Sequence, residues 1–140
     1  MFNFLKKKDE KIKNSDLIKK TASLLIHAAK IDQNYTEKEK QIIKKTLMEL
    51  GAEKYNINQL FEEAEIDEKD ANQILDFTRE VKNLPEKDKI KIIEALWRII
   101  FSNKKADIFE ANLMRRLAGL LYVDSKTMGF IKEKIQKENS

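Results

Sequence analysis

The chain has 140 residues, no cysteine, and 28 basic against 24 acidic side chains, which give a net charge of +4. This length suits one domain with its own core, and the lack of cysteine excludes disulfide frameworks, thiolate zinc sites and cysteine nucleophiles. The two signs of charge alternate along the chain, so the surplus does not form the basic stripe of a nucleic-acid-binding protein. Three glycines and one proline favour long helices joined by short turns, and we therefore expect an all-α fold.

Residues 1–14 are predicted to form a flexible N-terminal tail that is both apolar and basic. The tail carries three large apolar residues followed by three lysines: Phe2, Phe4, Leu5, Lys6, Lys7 and Lys8. Such a segment can make weak contact with an anionic membrane surface, although a frayed terminus is the commoner outcome. The start is too short for a signal peptide, and no apolar run approaches the roughly 18 residues of a membrane span. We expect the protein to be cytoplasmic.

The helical domain is predicted to span residues 15–138. Its first helix is expected to begin near Ser15 or Asp16, either of which can cap it, and to end at about Ile31. His27 lies on the polar side of this helix and is the only histidine of the chain, so a histidine-based zinc site lacks its ligands. We therefore interpret His27 as a residue of the surface or of the boundary between core and surface.

The second helix carries the clearest local signal in the chain. Thr36 is followed three residues later by Glu39, which is the spacing of a capping box, in which each side chain accepts a hydrogen bond from the other residue's backbone N–H. The helix is expected to continue to Leu50. Gly51 then suits the left-handed residue that ends many helices.

Between Ala52 and Leu84 the apolar patterns are shorter and the residues are more acidic, and we expect this segment to form connecting helices. One helix opens at Ile57. Another is predicted over Asp70–Val81, with four buried apolar residues: Ile74, Leu75, Phe77 and Val81.

The central element is predicted to be the helix from about Pro85 to Phe101. Apolar residues occupy nearly every direction around it, so other helices must surround it. The Ile108–Tyr122 helix is expected to fold back on it, and a last helix capped by Asp124 or Ser125 follows. Aromatic residues in this region have the helical spacing typical of core positions: Trp97, Phe101, Phe109 and Tyr122.

Two helix-turn-helix units match each other along the chain. Asp32 and Glu39 lie 71 residues before Asn103 and Glu110, and the same offset pairs apolar positions for about 25 residues. Asp107 precedes Glu110 by three residues and so predicts a second capping box. We expect a single-domain bundle of about seven helices built from two pseudo-repeated units.

These doubled motifs resemble the two halves of the tellurite-resistance TerB-like family. The segments that carry the resemblance are residues 28–32 with Glu39, and residues 96–103 with Glu110 and residues 115–118. The resemblance covers about residues 15–137 and implies an all-α domain of about seven helices, found alone or attached to other domains, including those of membrane-associated J-domain co-chaperones. It also implies a bacterial-type stress response, with metal sensing or binding through acidic turn residues.

The candidate metal ligands implied by this resemblance are Asp32, Glu39, Asn103 and Glu110. Four oxygen ligands suit a hard divalent cation such as Ca²⁺ or Mg²⁺ if the two turns pack together. Lys104 and Lys105 stand beside the second turn, and their ammonium groups oppose a cation. Both glutamates also sit where a capping box needs them, and capping requires no ligand.

No catalytic constellation or glycine-rich phosphate loop occurs, so we expect no enzymatic activity and no nucleic-acid partner. Two basic pairs are candidate interaction residues: Lys44, Lys45, Arg115 and Arg116. The sequence favours a non-enzymatic interaction or adaptor module that binds a protein partner. The alternative is a metal-responsive protein that binds a divalent ion through its acidic turns.

Overall fold

A computed structural model describes the backbone of residues 2–31, 35–70, 75–102 and 108–138, with side chains from residue 16 onward except those of residues 75 and 108–110. Seven α-helices and one 3₁₀ turn, with no strand, make up these segments. The elements are α1 (Phe2–Ala29), α2 (Glu37–Glu49), the 3₁₀ turn Lys54–Asn56, α3 (Ile57–Asp70), α4 (Leu75–Val81), α5 (Glu86–Ser102), α6 (Ile108–Leu120) and α7 (Ser125–Glu138). The predicted all-α bundle of about seven helices is confirmed. Within these segments, no helix has the length and apolar character needed to cross a membrane.

The start of the first helix differs from the prediction. α1 begins at Phe2, so Ser15 and Asp16 lie inside the helix and do not cap it. Residues 2–14 contain neither glycine nor proline, and five of them are lysine, which loses little entropy in a helix. A potential capping residue therefore did not mark the boundary, because the residues before it also favour the helix.

The boundary between α3 and α4 also differs. Asp70 is the last residue of α3 and does not begin the next helix, which starts at Leu75. Phe77 and Val81 are buried as predicted, whereas the side chains of Ile74 and Leu75 lie outside the described residues.

Helix α5 is covered by other helices, as its apolar character predicted: it packs chiefly against α7, α2 and α1, and eight of its 17 residues are buried. The helix with the most neighbours is α1, however, which packs against α2, α3, α4 and α5, so the predicted central position of α5 is not confirmed. Trp97 is buried and stacks on Phe101 with ring centroids 5.6 Å apart, which confirms their place in the core. Pro85 stands just before the helix, where its carbonyl accepts the first-turn hydrogen bond from the Lys89 amide.

The main neighbour of α5 was predicted wrongly. The closest helix after it is α7, while α6 packs against α4 and α7. Three apolar residues of α7 recur every three or four positions and are buried, namely Met128, Ile131 and Ile135. This stripe lies along one face of α7 and provides apolar surface that covers apolar side chains of α5.

Helices α2 and α6 end in the same kind of turn. After α2, the amide of Gly51 donates to the Met48 carbonyl at 3.1 Å and the amide of Ala52 donates to the Leu47 carbonyl at 2.9 Å. These are the two bonds of a Schellman motif, and Gly51 has the predicted positive φ, at 115°.

The turn after α6 repeats both bonds, from Tyr122 to the Gly119 carbonyl and from Val123 to the Ala118 carbonyl. Tyr122 therefore occupies the left-handed position, with φ 58°. Its side chain is 68% exposed, so the prediction that Tyr122 belongs to the core was wrong. The chain reverses at this residue, which turns the ring away from the bundle. The two turns lie 71 residues apart, but equivalence of the two complete units stays a prediction.

Helix α7 begins as expected at an acidic cap. The Asp124 carboxylate accepts a hydrogen bond from the Thr127 amide at 2.7 Å. This bond, which favours the charged form, holds the pKa of Asp124 below its usual value.

Candidate interaction surface

Glu39 is the one predicted metal ligand whose side chain the structure describes, and it is fully buried in the N-terminal cap of α2. One oxygen of its carboxylate accepts from the Thr36 amide at 2.8 Å and from the Thr36 hydroxyl at 2.9 Å. The Glu39 amide donates in return to the Thr36 hydroxyl at 3.1 Å. The predicted capping box is therefore present, and it occupies this carboxylate oxygen with a structural task.

The other predicted ligands lie outside the described residues. Asp32 and Asn103 belong to segments that the structure does not describe, and Glu110 is described only by its backbone in α6. Among the described side chains, no group of three or more histidine, cysteine, aspartate or glutamate residues is arranged to hold a metal ion.

Tyr35 begins a cluster that joins α1, α2 and α3 near the start of α2. Burial of its hydroxyl raises the pKa of Tyr35 well above the ordinary value, and the nearby charge of Glu65 adds to this effect. Two lysines flank the ring, with Lys30 and Lys40 ammonium groups 5.6 and 4.9 Å from its centroid. Tyr35 therefore lies among charged side chains from the end of α1, from α2 and from α3.

His27 belongs to the same region and is partly exposed, which confirms it as a boundary residue. Its Nδ1 lies 3.4 Å from a Glu68 oxygen, and the Lys30 ammonium group lies 2.7 Å from the other. Glu68 itself is largely buried, and its carboxylate contacts both His27 of α1 and Lys30, which directly follows α1. The Ser23 hydroxyl adds a hydrogen bond to the Ala64 carbonyl at 3.0 Å. Helix α1 is thereby held along the length of α3.

The surface of α3 next to the contact between Lys30 and Glu68 is largely exposed and acidic. We name it the acidic α3 face, which comprises Glu62, Glu65, Ile66, Asp67, Lys69 and Asp70. Ile66 is 60% exposed, although it is a large apolar residue. It lines an open cleft of about 410 Å³ together with Lys30, Glu62, Glu65 and Lys69. Within the described side chains, Glu62, Asp67 and Asp70 form no ion pair, so this face carries uncompensated negative charge around an apolar residue.

A comparison with protein-family models shows the family to which the chain belongs. Residues 19–133 match the family model described as tellurite resistance protein TerB. The chain belongs to the TerB family. No curated protein and no solved structure matched it.

The two predicted basic pairs of this TerB-family chain have different surroundings. The Lys44 ammonium group lies 5.0 Å from the centroid of the Phe61 ring, and Lys45 beside it is exposed. Arg115 and Arg116 are exposed on α6, whose neighbours are α4 and α7, whereas α2 packs on α5, α1 and α3. Their role in partner binding stays a prediction. The side chains of Phe2, Phe4, Leu5, Lys6, Lys7 and Lys8 lie outside those described.

Sequence reasoning missed the acidic α3 face of this TerB-family protein and treated α3 as a connecting helix. A signal was available. The buried residues of α3 are Ile57, Leu60, Phe61 and Ala64, which follow helical spacing. Ile66 falls off that stripe and among acidic residues, so periodicity places it in solvent.

Proposed function

We propose that this TerB-family protein is a non-enzymatic interaction module that binds a protein partner through the acidic α3 face. The exposure of Ile66 beside an open cleft carries the proposal, because an exposed apolar residue ringed by charge is typical of an interface centre with a polar rim. We place this role in a cytoplasmic stress response related to tellurite resistance, on the strength of the family description.

The contrast with other charged residues supports the choice of surface. Arg98 of α5 bonds Glu138 of α7 at 3.0 Å and also approaches Glu94, and Lys134 pairs with Glu94 at 3.1 Å. These charges tie two helices of the bundle together. Glu62, Asp67 and Asp70 serve no such purpose among the described residues, so they remain available to a partner.

A crosslinking experiment in cells tests the proposal. A photoreactive amino acid is placed at Ile66 and, as a control, at Gln136, which is exposed on α7. We expect discrete adducts of higher mass from position 66 and only background from position 136. Equal background at both positions would contradict a partner-binding role for the acidic α3 face.

A growth assay tests the cellular setting. In a strain lacking the protein, the wild-type chain should restore growth under tellurite, and the Ile66→Lys variant should not. Equal rescue by both chains would show that growth under tellurite does not require the acidic α3 face.

A further inference from the structure

We propose that the acidic α3 face binds residues 2–13 of a second copy of this chain. The proposal rests on the proposed function, since it names the partner of the same surface. It predicts that the protein associates with itself through a basic, apolar helical segment on one copy and an acidic helix on the other.

The two segments have complementary charge. Helix α3 contains six acidic residues and one lysine, whereas residues 2–13 contain five lysines and two acidic residues. Complementary charge of this kind steers association and fixes which surfaces meet. Lys69 is the one cation of α3, and the Lys30 ammonium group at the edge of the cleft is engaged by Glu68 at 2.7 Å. Lys30 is therefore engaged elsewhere, and Lys69 alone offsets only part of the negative charge of the acidic α3 face.

The two segments also share apolar character. Residues 2–13 include four large apolar residues, namely Phe2, Phe4, Leu5 and Ile12. On the other side, Ile66 and its cleft offer apolar surface at the middle of the acidic residues. Burial of apolar area supplies affinity, and the surrounding charges supply selectivity.

The same copy cannot supply this segment. Helix α1 runs continuously from Phe2 to Ala29, and it lies beside α3 in the same direction, as the contacts of Lys19 with Glu63 and of His27 with Glu68 show. The cleft is next to Lys30, at the far end of α1. At 1.5 Å per residue, the segment 2–13 lies about 30 Å away along the helix axis. Only another molecule can bring it to the cleft.

Charge reversal on each side gives the first part of the test. One variant carries Glu62→Lys with Asp67→Lys, and the other carries Lys6→Glu with Lys7→Glu. Analytical ultracentrifugation of the full chain, from micromolar to several hundred micromolar protein, measures association. The wild-type chain should associate, with weaker association at high salt because the charges are screened. Each variant alone should show a dissociation constant raised at least tenfold.

Mixing the two variants gives the decisive part. The first variant keeps a basic segment and the second keeps an acidic α3 face, so an equimolar mixture should recover association that neither variant shows alone. Recovery also shows that both variants are folded. A matched control, Glu53→Lys with Glu133→Lys, makes the same charge change at exposed positions elsewhere and should associate like wild type.

Four outcomes overturn the proposal. The wild-type chain could remain monomeric at every concentration, or the mixture could fail to recover association. Alternatively, the wild-type chain could bind vesicles of anionic lipid through Lys6 and Lys7 while the acidic α3 face has no effect, which would assign the segment to a membrane surface. Crosslinking of position 66 to a different protein by a monomeric chain would keep the proposed function and reject this partner.

Discussion

The turns that end α2 and α6 have the same pair of hydrogen bonds but different residues at the left-handed position. In the first turn Gly51 adopts φ 115°, and in the second Tyr122 adopts φ 58°. A left-handed conformation costs an L-residue about 1–2 kcal/mol, whereas glycine adopts it without steric cost. The first turn is therefore specified by its own residue, and the second needs support from elsewhere.

That support comes from α5 and from the end of α4. The buried Lys89 ammonium group donates to the Leu121 carbonyl at 3.0 Å, and Lys82 lies 5.5 Å from the centroid of the Tyr122 ring. Helix α5 also reaches the first turn, where Lys91 approaches the Glu49 carbonyl at 3.4 Å in an exposed position. Helix α5 thus contacts both turns, but only its contact with the second turn is buried. Similar local geometry can therefore depend on a glycine in one place and on tertiary contacts in another.

Among substitutions at the two turns, replacing Lys89 should produce the largest change in the free energy of unfolding. Lys89→Met keeps the apolar stem but removes the donor to the Leu121 carbonyl, and losing a charged hydrogen bond to a buried group should lower the free energy of unfolding by about 2 kcal/mol. The matched change Lys91→Met should cost only a few tenths of a kcal/mol, because that contact is solvated. Urea unfolding followed by circular dichroism measures both. Equal losses would show that burial does not distinguish the two lysines.

Gly51→Ala should have the next largest effect. A Cβ at this position meets no neighbouring atom, so the cost comes from backbone conformation alone and should be about 1–2 kcal/mol. Gly119 provides the control, since it lies inside α6 with open space around it, and Gly119→Ala should raise stability by about 0.5–1 kcal/mol. A neutral Gly51→Ala would contradict the left-handed geometry.

Tyr122→Gly should stabilise the second turn slightly. Relief of the left-handed strain is offset by the entropy that glycine gains on unfolding and by loss of the ring beside Lys82, which leaves a net gain of about 0.5 kcal/mol. Tyr122→Phe keeps the ring and the strain, and its melting temperature should match that of wild type. If Tyr122→Gly lowered the melting temperature, the ring contact would outweigh the strain.

The cap of α7 should give the smallest effect, visible as pH dependence. The pKa of Asp124 is lower in the folded protein than in the unfolded chain, so its contribution is complete above the unfolded pKa and is lost as pH falls through the folded pKa. NMR titration should report a pKa for Asp124 below the ordinary aspartate value. Asp124→Asn should remove this part of the acid dependence, whereas Thr36→Ala should weaken the α2 cap at every pH.

Local patterns in the sequence predicted much of the fold. The capping box of Thr36 and Glu39, the left-handed Gly51 and the cap at Asp124 all depend on residues within one turn of each other. Such hydrogen bonds form between neighbours in the chain, so their residue types are sufficient to predict them. The apolar character of α5 likewise predicted that other helices cover it. The start of α1 was missed because residues 2–14 contain neither glycine nor proline to stop a helix, while Ser15 and Asp16 resemble caps.

Metal binding could not be judged from the same patterns, because one residue type serves two purposes. Glu39 was a candidate ligand and a candidate cap, and its burial with Thr36 shows the capping contact. The proposed interaction surface likewise depends on which residues of α3 are exposed. The charge pattern indicates this only when it is compared with the spacing of the buried residues of α3. Ile66 shows this, since its type alone suggests a core residue.

The sequence by itself determined the helical class, the family, the burial of α5 among other helices and the caps at both ends of α2, since each follows from residue type and short spacing. Only the tertiary structure decided that α7 is the main neighbour of α5, that Lys89 supports the end of α6, and that Tyr122 faces solvent. These features depend on which distant helices meet, and short-range spacing carries no information about that choice.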